Sequence, residues 1–540
     1  MRSIAPLVAA VVLALGLVTG SAAQESGLPD IGSSAGELLS PKEEGEYGAY
    51  TLYQLRRYGY VLEDPLLHSW LDDMGHRLAA VSDRPEQSFT FFMMRDRQIN
   101  AFATLGGYVG MNAGIVLTAR NEDEVAGVVA HEISHVTQRH VLRAVERAQK
   151  DQLPIMLATL GVIIAAQQSG GRNSSGTNTS SDDAIQAAII GGQALAAQRQ
   201  INYTRSTEAE ADRVGIQTLY QAGYSPNGMA DFFERMDRVT RGNSGGYTTP
   251  SYLQTHPVNT TRMSEARDRA ERLQREKPAY SAASKPTQSL LLPWGLSASS
   301  TATPAAAAAP PRMFDWARER LRVLTADSPS VGMKEAKALL DSTGPKATDA
   351  QRYGLALAQL RAGYPAAAED SLQALARKHP GNLWIGLALA ENASVAKNEA
   401  LARKRYEDLL AQHPNDIAIS LGYAEVLNTI GGADAGRRAQ AVLRPILSGN
   451  TDDPLFQKTF GRASELAGDA ARAGEAYAEA AYLNGRAEDA LNQLTALLKR
   501  DDISYIQRAR IEARIADITP EVLDMKRRRI KPQDLPGDQG

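Results

Sequence analysis

Asn121-Glu122-Asp123-Glu124-Val125-Ala126-Gly127-Val128-Val129-Ala130-His131-Glu132-Ile133-Ser134-His135 is the stretch on which the reading of this chain turns. Asn121 can cap a helix, with Glu124 three residues on completing a capping box, and the helix then runs through Val125, Val128 and Val129. Helical residues step by about 100°, so histidines at i and i+4 differ by about 40° and project from one face. His131 and His135 can therefore grip one zinc ion, with Glu132 beside them. The Glu132 carboxylate can take a proton from a water that the metal has made acidic, the base that attack on a peptide carbonyl requires. A polar helix face with two surface histidines is the plainer alternative for the same five residues.

A catalytic zinc takes three protein ligands, and a chain with no cysteine must draw the third from another histidine or a carboxylate. Thr204-Arg205-Ser206-Thr207-Glu208-Ala209-Glu210-Ala211-Asp212 opens a second helix with Glu208 and Asp212 at i and i+4. Glu208 can complete a site for Zn2+, one per chain, while Asp212 accepts a hydrogen bond from a liganding histidine and orients its ring. An acidic helix start favoured by the macrodipole would look similar, but the two helices together are far more specific than either. His140 falls outside the ligand spacing and is expected on the helix surface. Residues 102–105 and 108–112 flank Gly106-Gly107, a two-residue hairpin signal. An edge strand there could pair with an extended substrate through backbone hydrogen bonds.

The remaining 540-residue sequence supplies the frame. It is too long for one core, and 43% hydrophobic with 22% charged residues is a globular balance. A net charge of −3 gives no field for nucleic acid. Disulfides and thiolate metal sites are excluded. Met1 and Arg2 precede an apolar run ending near Ser21-Ala22-Ala23, so residues 1–23 read as a cleaved export signal, with a retained membrane anchor as the alternative. Residues 24–280 are expected to form the metallopeptidase domain, and the Ala/Ser/Pro-rich stretch 281–312 a linker that permits independent movement. Within the first domain, the Gln/Ser/Gly/Asn-rich residues 167–183 read as a surface loop between apolar stretches 154–166 and 184–197. Those stretches are either core helices or a pair lying in peripheral contact with a membrane or partner.

Beyond the linker, Ala, Leu, Glu and Arg recur with helical spacing. His379-Pro380 and His413-Pro414 are 34 residues apart, and Ala368 matches Ala402, Leu372 matches Tyr406, Leu375 matches Leu409 and Leu355 matches Leu389. This period resembles the tetratricopeptide repeat, against an irregular helical bundle as the alternative. Residues 313–515 are thus expected to be an all-α binding solenoid and 516–540, with the basic run Lys526-Arg527-Arg528-Arg529, a polar tail.

The two site motifs, with Asn100-Ala101-Phe102-Ala103-Thr104 and Gly106-Gly107-Tyr108 upstream and Thr255-His256-Pro257 downstream, resemble the HtpX and CAAX-prenyl-protease superfamily of zinc peptidases. An export signal and C-terminal repeats look like its periplasmic, BepA-like branch. The resemblance implies an α+β fold: a mainly helical zincin-like domain with a small β-sheet, followed by the solenoid. It also implies a periplasmic zinc endopeptidase that cleaves misfolded or misassembled outer-membrane proteins. Its repeats would recruit unfolded substrate or the outer-membrane protein assembly machinery. The rival reading is a periplasmic chaperone or adaptor with little proteolysis. By the same resemblance Glu208 is the third ligand, with Glu210 the competing candidate. Asp212 is the carboxylate the family treats as catalytic and a proton donor; we expect it to orient a histidine instead. His256 would lie near the zinc, as a fourth ligand that keeps the enzyme latent or as an oxyanion donor.

Overall fold

The computed structural model describes residues 39–147, 203–242, 252–253, 256–276 and 313–527. The expected signal 1–23, the stretches 154–166, 167–183 and 184–197, and the linker 281–312 lie outside the described residues. Two helices come first. α1 (Pro41–Arg57) starts at a capping box in which Ser40 and Glu43 satisfy each other's backbone N–H, and α2 (Pro65–Ala79) starts at Asp64, which accepts from Leu67 N–H. A three-stranded sheet follows in the order β1-β3-β2, built from β1 (Thr90–Met94), β2 (Ala101–Ala103) and β3 (Tyr108–Asn112). β1 pairs parallel with β3, while β2 pairs antiparallel and forms an edge.

The turn between β2 and β3 is tighter in shape but longer than the expected two residues. It is a single 3-10 turn over Leu105–Gly107, with Gly106 and Gly107 at φ of 72° and 82°. A side chain on Gly107 would also strike Ser88 O at 2.0 Å, so the second glycine is required twice over.

β3 runs directly into α3 (Ala113–Thr118) and then α4 (Glu122–Thr137), the central helix of the peptidase unit. Asn121 caps α4 as expected, accepting from Glu124 N–H at 3.0 Å. The capping box is only half made, because Glu124 reaches past Asn121 to Arg120 N–H and to the Arg235 guanidinium. α4 is buried on nearly every side: Val125, Val128, Val129 and Ile133 all lie in the apolar core. α5 (residues 140–147) and α6 (residues 203–221) follow, then α7 (Gly228–Gly242) and α8 (Thr260–Glu276). α4 and α7 cross so closely that a Cβ on Gly127 would sit 2.7 Å from Met229 N.

The C-terminal unit is all helix among the described residues. α9 (Phe314–Leu324) and α10 (Pro329–Thr343) lead into the pairs α11 (Asp349–Arg361) with α12 (Pro365–Lys378) and α13 (Leu383–Val395) with α14 (Glu399–Gln412). The 34-residue spacing places equivalent residues in equivalent environments. Ala368 and Ala402 are both fully buried, as are Leu372 and Tyr406, and His379 and His413 end their helices with nearly the same backbone angles. α15 (Ile417–Ile430) and α16 (Ala433–Leu443) depart from the strict period through an added 3-10 turn, Arg444–Gly449. α17 (Pro454–Leu466), α18 (Ala470–Leu483), α19 (Ala487–Leu497) and α20 (Tyr505–Arg527) complete the described residues. The tail expected from residue 516 begins inside α20 instead, because Ile518 and Val522 bury apolar surface between polar neighbours.

The linker's composition allows independent movement, yet the two units touch among the described residues. Buried residues of both units join in one apolar core. At one end Arg320 of α9 forms a buried ion pair with Asp64 at 2.8 Å, and Arg97 forks onto Glu335. At the other end Tyr53 of α1 packs edge-on against Tyr482 of α18, and Arg57 donates to Gly485 O. No helix among the described residues is long and apolar enough to cross a membrane.

Candidate metal centre

α4 brings His131 and His135 onto one face, where their Nε2 atoms stand 3.0 Å apart. α6 adds Glu208, whose carboxylate oxygens lie 3.4 Å from each of those nitrogens. His256 enters from the segment before α8. It is held there by its own N–H donating to Tyr252 O (2.7 Å) and by the Tyr252 ring packed on its imidazole. Its Nδ1 lies 3.3 Å from His131 Nε2 and 3.1 Å from both Glu208 oxygens. One ligand atom from each of these four side chains falls within 4.8 Å of every other.

Such a convergence of basic nitrogens and a carboxylate fits a metal. Atoms bound at about 2.0–2.1 Å to a tetrahedral ion are separated by roughly 3.3 Å, which is the spacing found. Glu132 supplies a second sign. It is buried, yet its Oε1 has no hydrogen-bond partner among the described residues and lies 3.7 Å from His256 Nε2. A buried carboxylate oxygen left without a donor costs free energy unless something at the site uses it.

Electrostatics agree. Burial disfavours a charged His131, but Asp212 and Glu208 outweigh it and lift the imidazole to about 10. Burial also works against ionised Glu208, yet His131 and His256 hold its carboxyl far below the usual range. Burial pushes His135 well below its ordinary value and raises Glu132. Two buried carboxylates thus hold a proton on His131, and a metal would bind in place of that proton.

Asp212 is not within the four-residue group. Its Oδ1 sits 3.0 Å from His131 Nδ1, the far side of the ring, while Arg262 of α8 holds both carboxylate oxygens at 2.7 and 2.8 Å. Arg262 also reaches Glu208 at 3.0 Å and donates to Pro257 O, so one buried guanidinium ties α6 to the His256 segment. Sequence reasoning missed Arg262, since nothing marks it among the many arginines of α8. One expectation changes, that for His140, while Glu210 keeps to its lesser place. Glu210 faces away from the other ligands, toward His140 and Arg143. His140 is buried, 4% exposed, with its Nδ1 2.9 Å from His135 Nδ1. The available signal was that three of the chain's 8 histidines fall between residues 131 and 140. β2 packs against α4 beside the site.

The family model described as "Peptidase family M48" matches residues 65–270. The beta-barrel assembly-enhancing protease of Escherichia coli (strain K12) is 30% identical over 495 residues, 90% of each chain. A Vibrio cholerae relative is 42% identical over 243 residues, which is 45% of this chain and 47% of its own length. Metalloprotease LoiP of Escherichia coli is 28% identical over 182 residues, covering 34% of this chain and 62% of LoiP.

Proposed function

The chain belongs to peptidase family M48 and is a metallopeptidase, and from that premise we propose that it is an exported zinc endopeptidase that removes misassembled outer-membrane proteins. His131, His135 and Glu208 would hold the metal, which would supply the Lewis acidity that acidifies a water and polarises a carbonyl. Glu132 accepts the proton of the attacking water at Oε1. Asp212 holds His131 in the tautomer that offers Nε2, and Arg262 keeps Asp212 charged. An extended substrate pairs with the β2 edge, which favours unfolded segments over folded domains. The observation that carries this reading is Glu132 Oε1, without a hydrogen-bond partner among the described residues, beside four convergent ligand atoms.

His256 fills the space in front of Glu132, so the enzyme rests latent until substrate or a partner withdraws it. The helical unit acts as a tetratricopeptide-like platform for substrate or for the assembly machinery; the 34-residue period supports the platform, and the name of the Escherichia coli relative supports only the link to β-barrel assembly. The signal reading of residues 1–23 supports a periplasmic location. The test is digestion of casein and of an unfolded β-barrel protein by the full chain, with metal content measured on the same samples. Zinc at one per chain with cleavage supports the proposal; folding assistance without cleavage, unaltered by Glu132→Gln, supports a chaperone instead.

A further inference from the structure

A neutral imidazole that binds metal through Nε2 keeps its proton on Nδ1, and that proton needs an acceptor. For His131 the carboxylate beside Nδ1 is that of Asp212, with Oδ1 at 3.0 Å. For His135 the neighbour of Nδ1 is not a carboxylate. Its Nδ1 faces Nδ1 of His140 at 2.9 Å, the two rings packed edge to face.

Two ring nitrogens at that distance share one proton, so one donates and the other accepts. His135 turns Nε2 toward the other ligand atoms, 3.0 Å from His131 Nε2 and 3.4 Å from Glu208. Its proton is therefore on Nδ1, and His140 Nδ1 is the acceptor. The proton of His140 itself must then be on Nε2, where Glu210 Oε2 waits at 3.2 Å. Glu210 is in turn held by Arg143 at 3.0 Å, and Tyr203 Oη donates to the His140 carbonyl at 3.2 Å. With a metal on His135 Nε2, each hydrogen bond in the chain Arg143, Glu210, His140, His135 would run in one direction.

We propose that His140 is a positioning residue of the metal centre: backed by Glu210, it holds His135 in the tautomer and ring orientation that present Nε2 to the metal. It does for His135 what Asp212 does for His131, with a histidine and a carboxylate in series in place of one carboxylate. The proposal rests on reading His131, His135 and Glu208 as the ligands, and the test separates the two.

Zn2+ affinity is measured by chelator competition on the full chain at one fixed pH, beside thermal unfolding of each variant in EDTA. Removal of such an orienting partner costs about 10–100-fold in metal affinity. His140→Leu should show a loss in that range. His140→Asn, whose side-chain carbonyl can take the place of Nδ1, should return to within about three-fold of wild type. A merely structural role predicts that both variants lose unfolding temperature while keeping Zn2+ affinity, and that result overturns the proposal, as does an Asn variant as weak as Leu. Should His140→Leu not fold, Glu210→Ala carries the test: wild-type affinity there overturns the relay, and a loss of about five-fold or more supports it. Wild-type protein that binds no Zn2+ would instead overturn the ligand reading itself.

Discussion

At the scale of single residues, the site divides into side chains fixed by local helix geometry and side chains fixed by distant contacts. His131, Glu132, His135, Glu208 and Asp212 were legible because i and i+4 positions on a helix share a face whatever surrounds them. Arg262 was not, since it meets Asp212 across 50 residues of sequence. His140 was misjudged because its spacing excludes it as a ligand of the same ion, while its role is to face His135 from behind. Chemistry follows from the same geometry. Glu132→Gln keeps shape but cannot accept a proton, so proteolysis should fall by about 10²-fold or more with metal content unchanged. Full turnover by that variant would remove the general base. His256→Ala should raise basal proteolysis while three ligands still hold the metal. A drop in turnover with metal retained would make His256 an oxyanion donor rather than a latch.

At the scale of elements, hydrophobic period and cap residues carried most of the reading. Ser40, Asp64, Asn121 and Asn382 each start a helix by accepting a backbone N–H, as such residues do. The 34-residue period was readable because small residues such as Ala368 and Ala402 recur where helices touch. The polar bonds that join the pairs were not readable. Glu369 of α12 accepts from Arg405 of α14 and from Asn392 of α13, and Arg405 also donates to Leu389 O at 2.6 Å. Held chiefly by the Arg405 hydrogen bond, the Glu369 carboxyl drops from 4.5 to about 2. A depressed carboxyl contributes stability that is complete above the unfolded value and is lost as pH falls through the folded one. Between pH 4.5 and about 2, the urea midpoint of wild type should therefore fall more steeply than that of Glu369→Gln. Both proteins are to be measured in EDTA, so that metal loss contributes to neither. Parallel slopes would mean that the cluster is solvated and does not tie the pairs together.

At the scale of the whole molecule, the Ala/Ser/Pro-rich linker suggested two bodies, because composition reports a connector's stiffness and not what the connected units do to each other. Asp64 and Arg320 decide otherwise. Both are nearly fully buried, at 8% and 6% exposed, and they meet across the boundary at 2.8 Å. Deleting one partner strands the other charge away from water, at a cost of about 3–5 kcal/mol, whereas removing both charges costs much less. Arg320→Leu should therefore be less stable than the double variant Asp64→Asn/Arg320→Leu, in which an amide oxygen at position 64 still caps α2. The shared core has a further consequence for metal removal. A ligand that binds only the folded state stabilises everything that unfolds together with its site, by about 2.7 kcal/mol at a hundred times its dissociation constant. Among the described residues most helical signal comes from α9 to α20, remote in sequence from the metal. If both units unfold as one, EDTA should lower the urea midpoint of the entire far-ultraviolet circular dichroism transition. Weakening the boundary with Arg320→Leu should split that transition, leaving a C-terminal phase that EDTA no longer moves. A C-terminal phase already indifferent to EDTA in wild type would mean that the buried contacts do not couple the units, and that the linker's composition was the better guide.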